Sequence, residues 1–426
     1  MITLFLLMLA LFAIAMPVAW SMAMASTVYM IVGPKIPLQA VIQRMIGGID
    51  TFPLLAIPFF ILAGNLMNTG GVTNRLVGFS KALVGHIRGG LAHVVVVTNM
   101  IMAGMSGSGI ADAAGSGSVL IPAMQRARYS VPFAAAVVAA AGTIGPIIPP
   151  SIPFVIYGSL ANTSIGRLLL AGAVPGVLMG LMLMAYICVV ARRRGYPAEL
   201  RASQRELARA ALHAVPPMGM PIIILGGIIL GVMTPTEAAA AGAMYAFVLG
   251  FFIYQELRLQ DLPKILTESV MGTAAVAIII SAAQPMSWIL TYEQAPMKVL
   301  ALFQDAQLSK AVLLLILNVI LLVLGCFMEG LAVMVMAVPV LMPLLQSAGI
   351  DPLHFGVVFV LNAMIGTITP PVGTIMYVVC SLGKISIGQF SREAWPLIVT
   401  LILCLGIVTY VPILSTWLPD LVMPLR

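Results

Sequence analysis

Between residues 168 and 190 the chain reads LLLAGAVPGVLMGLMLMAYICVV, a run of 23 residues without a charge. About 20 apolar residues in a helix suffice to cross the hydrocarbon of a bilayer, and the runs at 215–232, 238–254 and 397–414 approach that length. Charged residues make up only 8% of the 426, where a soluble domain carries about 25%, so these runs are spans rather than one large core. Strand patterns alternating over ten residues are missing, which argues against a barrel. The expectation is an all-α polytopic membrane protein. Residues 1–15 lack a basic leader and precede no convincing cleavage site, so the first apolar run reads as a membrane helix rather than a removed signal. Cys188, Cys326, Cys380 and Cys404 stand singly in apolar segments and suggest small buried side chains, neither a disulfide framework nor a zinc site. The net charge of +7 comes from basic residues at the ends of spans, which points to cytoplasmic loops and away from nucleic acid.

One stretch is out of keeping with such a chain: GMSGSGIADAAGSGSVLIP, residues 104–122, is rich in Gly and Ser and carries an acid. Shifted by 221 it meets a second copy. Gly104 falls on Gly325, Gly109 on Gly330, Pro122 on Pro343, Gln125 on Gln346, Gly145 on Gly366, Pro149 on Pro370 and Pro150 on Pro371. Residues 104–157 and 325–378 share 14 identities in 54 ungapped positions, and apolar composition alone would not align the Gly and Pro. The chain is expected to be two copies of one unit: a first membrane repeat at 1–190, a basic linker at 191–210 and a second repeat at 211–426.

Orientation follows from the basic residues. Lys81, Arg88, Arg126 and Arg128 flank the first Gly/Ser segment, which places both its ends in the cytoplasm and makes 90–126 a re-entrant hairpin. Its arm at 91–105 is expected to climb to about the midplane, Ser106 to Asp112 to turn, and a second arm to return to Arg126. The linker carries Arg192, Arg193, Arg194, Arg201, Arg205 and Arg209, the most basic loop in the chain. Counting on, 211–232 goes out, 238–254 comes in to Arg258 and Lys264, and 266–292 goes out again. A second hairpin at about 311–346 then starts from the outside, and its exit carries Asp351 with no Lys or Arg nearby. One unit in two orientations is an inverted-topology repeat. Residues 1–32 fit either one long helix or two short ones broken at Pro17, and Lys35 and Arg44 sit poorly on the outside.

Broken helices survive at membrane depth only where protein or a hydrated cavity satisfies their backbone. Four breaks come in symmetric pairs: the tips MSGSGIAD and CFMEGLA, and the unwound crossings GTIGPIIPPS and GTITPPVGT. Prolines at 146, 149 and 150, and at 370 and 371, carry no amide hydrogen, which frees carbonyls one turn earlier. Such carbonyls with Ser and Thr hydroxyls suit a small hard cation such as Na+, while helix starts suit an anion such as a carboxylate. Neither tip nor either unwound segment holds Lys or Arg, so cation and anion binding are expected to be coupled.

The paired tips with GTIGPIIPPS and GTITPPVGT resemble the large membrane subunit of the tripartite ATP-independent periplasmic (TRAP) transporters, the DctM-type family, over essentially the whole chain. That resemblance implies Na+-driven uptake of an organic acid by an elevator movement of a domain holding both hairpins, in a bacterial or archaeal cytoplasmic membrane. It also implies two partners, a periplasmic substrate-binding protein and a small four-helix membrane subunit, the latter expected as a separate polypeptide. No cofactor is implied beyond Na+ as coupling ion. Resemblance and geometry together assign a first cation site to carbonyls of Ala103, Ser108, Gly145, Ile148 and Pro150. The offset then puts a second near Gly325, Gly366, Thr369 and Val372, with the threonine hydroxyl helping. The alternative for the glycines is close helix packing. Ser106, Ser108, Ser151 and Thr374 are candidates to touch substrate, against hydroxyls bonding back to local carbonyls.

Asp112 and Glu329 are acids at the tips, read as functional by depth or as stabilising the start of each second arm, with capping favoured for Asp112. His93 and His354 read as packing or interfacial residues, and Trp20, Trp288, Trp395 and Trp417 as interface anchors. The sharpest enzyme alternative is an intramembrane serine protease, because Gly104-Met105-Ser106-Gly107 fits G-x-S-G. It needs a histidine near the serine, and His93 stands about 20 Å away along a helix. An ATP-driven pump fails on Gly383-Lys384, which Ile385 follows instead of Ser or Thr. Two symmetric hairpins favour alternating access over an open channel.

Overall fold

The computed structural model describes residues 2–14, 16–33, 37–305 and 308–424, and among them every regular element is helical. Eight of those helices are long and apolar enough to cross a bilayer, including Ile165–Arg194, Gln204–Ile229, Leu262–Tyr292 and Ile387–Tyr410. Residues up to 32 form two helices, Ile2–Ala13 and Val18–Val32, parted at Pro17. The expectation about Lys35 lies outside the described residues.

Both Gly-marked segments are helical hairpins. The first pairs Gly90–Ser106 with Gly109–Arg126, the second Lys310–Phe327 with Gly330–Ser347. Their reversals are shorter than expected. The first turn is Gly107 and Ser108 alone, not Ser106 to Asp112, because Gly107 adopts a left-handed φ of 59° and the Ser108 hydroxyl caps the next helix at Ala111 N. Asp112 therefore lies one turn inside the second arm. At the second tip Glu329 occupies the matching place, 108 plus 221, and its carboxylate accepts from Ala332 N at 3.3 Å. The capping reading thus holds for Glu329, whereas at the first tip Ser108 does the capping.

Both crossings are broken as the prolines require. Val131–Gly142 stops, residues 143–151 are unwound, and Ile152–Ala161 resumes behind Ser151. In the second repeat Pro352–Gly366 stops, 367–373 are unwound and Thr374–Gly383 resumes. The Pro149–Pro150 and Pro370–Pro371 peptides are both cis. The two halves of the chain interlock crosswise. Ile152–Ala161 packs on Gly330–Ser347 and Pro352–Gly366, while Thr374–Gly383 packs on Gly109–Arg126 and Val131–Gly142. Residues 133–142 are all buried, seven of them Ala or Gly, and side chains that small let helices approach closely where apolar solvent offers no hydrophobic drive.

The linker marks one end of the molecule. Lys81 pairs with Glu199 at 3.0 Å, Gly89 N donates to Pro197 O, and Tyr196 stacks on Tyr129 and Phe133, so the base of the first hairpin sits against it. Between the helices the linker is only 195–203, since Ser203 and Glu206 form a capping box that starts Gln204–Ile229 early. Ile387–Tyr410 begins at the same end, with Glu393 on Arg194 at 2.8 Å, and runs to Tyr410, whose hydroxyl donates to Ala311 O. The base of the second hairpin, closed by Lys310 Nζ on Gly349 O, thus lies at the opposite end.

Candidate functional site

In each repeat the hairpin tip meets the unwound crossing. A Cβ built on Gly107 would lie 2.8 Å from Pro150 O, and one on Gly109 2.7 Å from Gly142 O. In the second repeat a Cβ on Gly366 would lie 2.7 Å from Gly325 O, and Val372 N donates to Cys326 O at 3.1 Å. The first tip also meets the helix that resumes after the second break: the Ile375 side chain comes within 2.9 Å of the Cβ position of Gly109.

Prolines decide which carbonyls are free. Residue 149 would donate to Gly145 O in a continuous helix and residue 150 to Pro146 O, and neither has an N–H. Among the described residues the carbonyls of Gly145, Ile148 and Pro150 accept no backbone N–H, whereas Pro146 O takes the Ser151 hydroxyl. Ser108 O is already engaged by Asp112 N at 3.0 Å. Ala103 is buried one residue before Gly104, whose Cβ position is 3.8 Å from Pro149 O. In the second break Thr369 O and Val372 O accept no backbone N–H among the described residues. The Thr369 hydroxyl donates to Ile365 O at 2.7 Å, which leaves its oxygen lone pairs for a cation. Oxygen groups of this kind fit Na+ at both junctions.

The hydroxyls singled out for substrate are mostly engaged locally. Ser151 is fully buried between Pro146 O and Phe154 N, so it braces the break. Removing the hydroxyl leaves Pro146 O unpaired in the interior, and Ser151→Ala is expected to cost about 1–3 kcal/mol, seen as a lower melting temperature in detergent with substrate selectivity unchanged. A changed selectivity at unchanged stability would restore Ser151 to the substrate. Ser106 donates to Asp112 Oδ1 at 2.5 Å and accepts from Ser108 N at 3.2 Å. Thr374, half-buried, has no such bond among the described residues.

Asp112 is fully buried, and its Oδ2 has no hydrogen-bond partner among the described residues. That oxygen points to the first junction, into the space that a Cβ on Gly145 would take. An unpaired buried carboxylate oxygen costs several kcal/mol, and a small cation is the kind of partner that offsets it. Glycine at 145 is what gives the carboxylate room.

Other buried polar groups have no motif in the sequence to single them out. Asn362 donates to Asn318 Oδ1 at 2.7 Å and Asn318 to Thr409 at 3.0 Å, a buried chain tying the second crossing to its hairpin and to Ile387–Tyr410. Asparagines inside apolar helices were the signal, since intramembrane polar groups seldom stand alone. His354 bonds Ser415 and Thr409 O, and His93 is buried. Ser106 has Asp112 rather than an imidazole beside it, which removes the base a serine protease needs.

Residues 5–414 match the family described as "Tripartite ATP-independent periplasmic transporter, DctM component". The sialic acid TRAP transporter large permease protein SiaM of Vibrio cholerae is 43% identical over 95% of this chain and 95% of its own. The C4-dicarboxylate TRAP transporter large permease protein DctM of Pseudomonas aeruginosa is 43% identical over 87% of each. Among solved structures, the Alcanivorax borkumensis YdaH transporter superposes with a TM-score of 0.59 at 17% identity, covering 88% of both chains. Neisseria gonorrhoeae MtrF gives 0.55 at 15% identity over 88% of this chain and 84% of its own. The latter two speak for the fold alone.

Proposed function

The chain belongs to the DctM component family of the tripartite ATP-independent periplasmic transporters, and from that premise we propose that it drives Na+-coupled uptake of an organic carboxylate by an elevator movement. It is a multi-pass protein of the cytoplasmic membrane and a transporter subunit rather than an enzyme. The observation that carries the sodium reading is the paired junction, Gly107 on Pro150 in one half and Gly325 on Gly366 in the other. The first lies beside Gly145 O, which Pro149 leaves without a donor. The second lies beside Thr369 O and Val372 O, which accept no backbone N–H among the described residues, while Gly366 O and Thr367 O are taken by Thr369 N and Ile375 N. Two like sites in opposite orientation suit a carrier that is approached from either side in turn.

In this reading the hairpins are re-entrant. The arms hold 17 and 18 residues in the first hairpin and 18 each in the second, about 26 Å of helix, so a tip at the midplane requires inclined arms or bases in the headgroup layer. The tip's place beside the middle of the 131–161 crossing supports that depth. The hairpins and broken crossings form the moving body. Carbonyls of Ala103, Gly145, Ile148 and Pro150 hold one Na+, those of Gly325 and Val372 with Thr369 the other, Gly366 O being taken by Thr369 N at 3.1 Å as Ser108 O is by Asp112 N, and the substrate carboxylate lies near Ser108 and Thr374. The relatives' names support the class, one for sialic acid and one for C4-dicarboxylates. A small membrane subunit and a periplasmic binding protein complete the transporter.

The test is uptake of radiolabelled succinate and sialic acid into proteoliposomes holding this chain with its small subunit. Uptake of one of them is expected only with the binding protein and an inward Na+ gradient. Uptake that ignores the Na+ gradient, or that proceeds without the binding protein, overturns the reading.

A further inference from the structure

We propose that the cavity between Gln39–Ile49, Leu262–Tyr292 and Ile152–Ala161 binds an organic carboxylate, with the Arg44 guanidinium as its anchor. The cavity measures about 500 Å³, within the range that takes a small organic ligand. Its polar wall is Gln43, Arg44, Thr51, Ser159 and Gln284.

Helical spacing builds one side. Residues 43, 44, 47 and 48 line the cavity at the i, i+1, i+4, i+5 positions of one helix face. Ser281 fastens that helix by donating to Met45 O at 2.9 Å, and Gly48 admits Gln284, whose Cγ would collide with any Cβ there. Ile156, Ser159 and Leu160 form the facing wall, on the helix that resumes after the first break. The cavity thus lies between the break-bearing body and two helices outside it.

Arg44 gives the cavity its charge. The guanidinium lies 5.3 Å over the Trp288 ring, which holds one face and leaves its in-plane N–H donors free. None of the ion pairs among the described residues includes it, and no acid lines the cavity. The Thr51 hydroxyl, also in the wall, is buried without a hydrogen-bond partner among the described residues. Position supplies an independent reason. Tyr157, one residue after Ile156, bonds Pro352 O near the base of the second hairpin, so the cavity lies toward the end away from the basic linker. A basic residue there runs against the inside bias that orients the chain. Binding an anion accounts for it. The cavity then holds substrate at the outer mouth, before it reaches the tips; the carboxylate class rests on the transport reading, the anion preference does not.

The test uses the complex with its small subunit in nanodiscs, with succinate and sialic acid as probes and no binding protein. Calorimetry is expected to show saturable binding of at least one probe, accompanied by a change in Trp emission that Trp288→Phe removes. Arg44→Gln should weaken binding at least about tenfold, with Arg44→Lys intermediate. Thr51→Val, which leaves the charge in place, should weaken it less than Arg44→Gln. Wild-type binding of neither probe, or equal binding by Arg44→Gln, overturns the proposal. So does an Arg44→Gln effect confined to the binding-protein concentration needed for half-maximal uptake, which would make Arg44 a docking contact for that protein. Arg44-dependent probe binding without Na+-driven uptake would leave this site standing and sink the sodium reading instead.

Discussion

Gly366→Ala is expected to bring Na+-driven uptake down by about 100-fold or more, for the addition of one methyl group. The new Cβ would lie 2.7 Å from Gly325 O, 2.8 Å from Gly325 C and 2.9 Å from Gly325 Cα. All three are backbone atoms, so no side chain can rotate away. The second tip and the second break must separate, and the carbonyls proposed to share a cation separate with them. Overpacking of this kind costs about 1–3 kcal/mol in stability, so the folded protein should still be recovered while transport is lost. Gly78→Ala is the control, since nothing lies within 4 Å of its Cβ position and alanine favours a helix. Comparing initial uptake rates of the two at matched folded protein decides the matter. Full uptake by Gly366→Ala would mean that tip and break need not meet for transport.

Asp112→Asn is expected to raise the Na+ concentration for half-maximal uptake by about 100-fold while leaving the fold intact. Asparagine has the same shape, and its Oδ1 still accepts from Ser106, so packing and that hydrogen bond survive. The helix start does not depend on it, because Ser108 already caps Ala111 N. What is lost is charge. A carboxylate about 5 Å from Na+ at an effective dielectric of about 20 contributes about 3 kcal/mol, the equivalent of roughly 100-fold in affinity. Uptake measured against Na+ concentration checks it. An unchanged Na+ curve would reduce Asp112 to a brace for Ser106. Ser106→Ala separates the two further, since it removes the brace and keeps the charge.

Much of the architecture was legible because it follows from local chemistry. A 23-residue apolar run cannot be a loop in water, and a proline has no N–H wherever it sits, so the spans and both breaks follow from residue order alone. The offset of 221 was equally visible, because Gly and Pro at matching places impose matching backbones. The resemblance resting on those motifs is borne out by the family match over residues 5–414. Local reasoning erred where two residues compete for the same role. Asp112 looked like the cap, and Ser108 with left-handed Gly107 took that place four residues earlier.

Burial and partnership belonged to the tertiary structure. Ser151 and Thr374 open corresponding helices, yet the Ser151 hydroxyl is fully enclosed and Thr374 is only half-buried. Arg44 was an awkward charge in the sequence; beside Trp288 and Gln284, more than 200 residues away, it becomes one wall of a cavity. The exchange of Ile152–Ala161 and Thr374–Gly383 between repeats has no local signal either. Span length, repeat and backbone breaks depend on neighbours along the chain, so the sequence by itself determined them. Which faces meet depends on contacts between distant segments, selected by close packing of all the helices at once, and that only the folded molecule could decide.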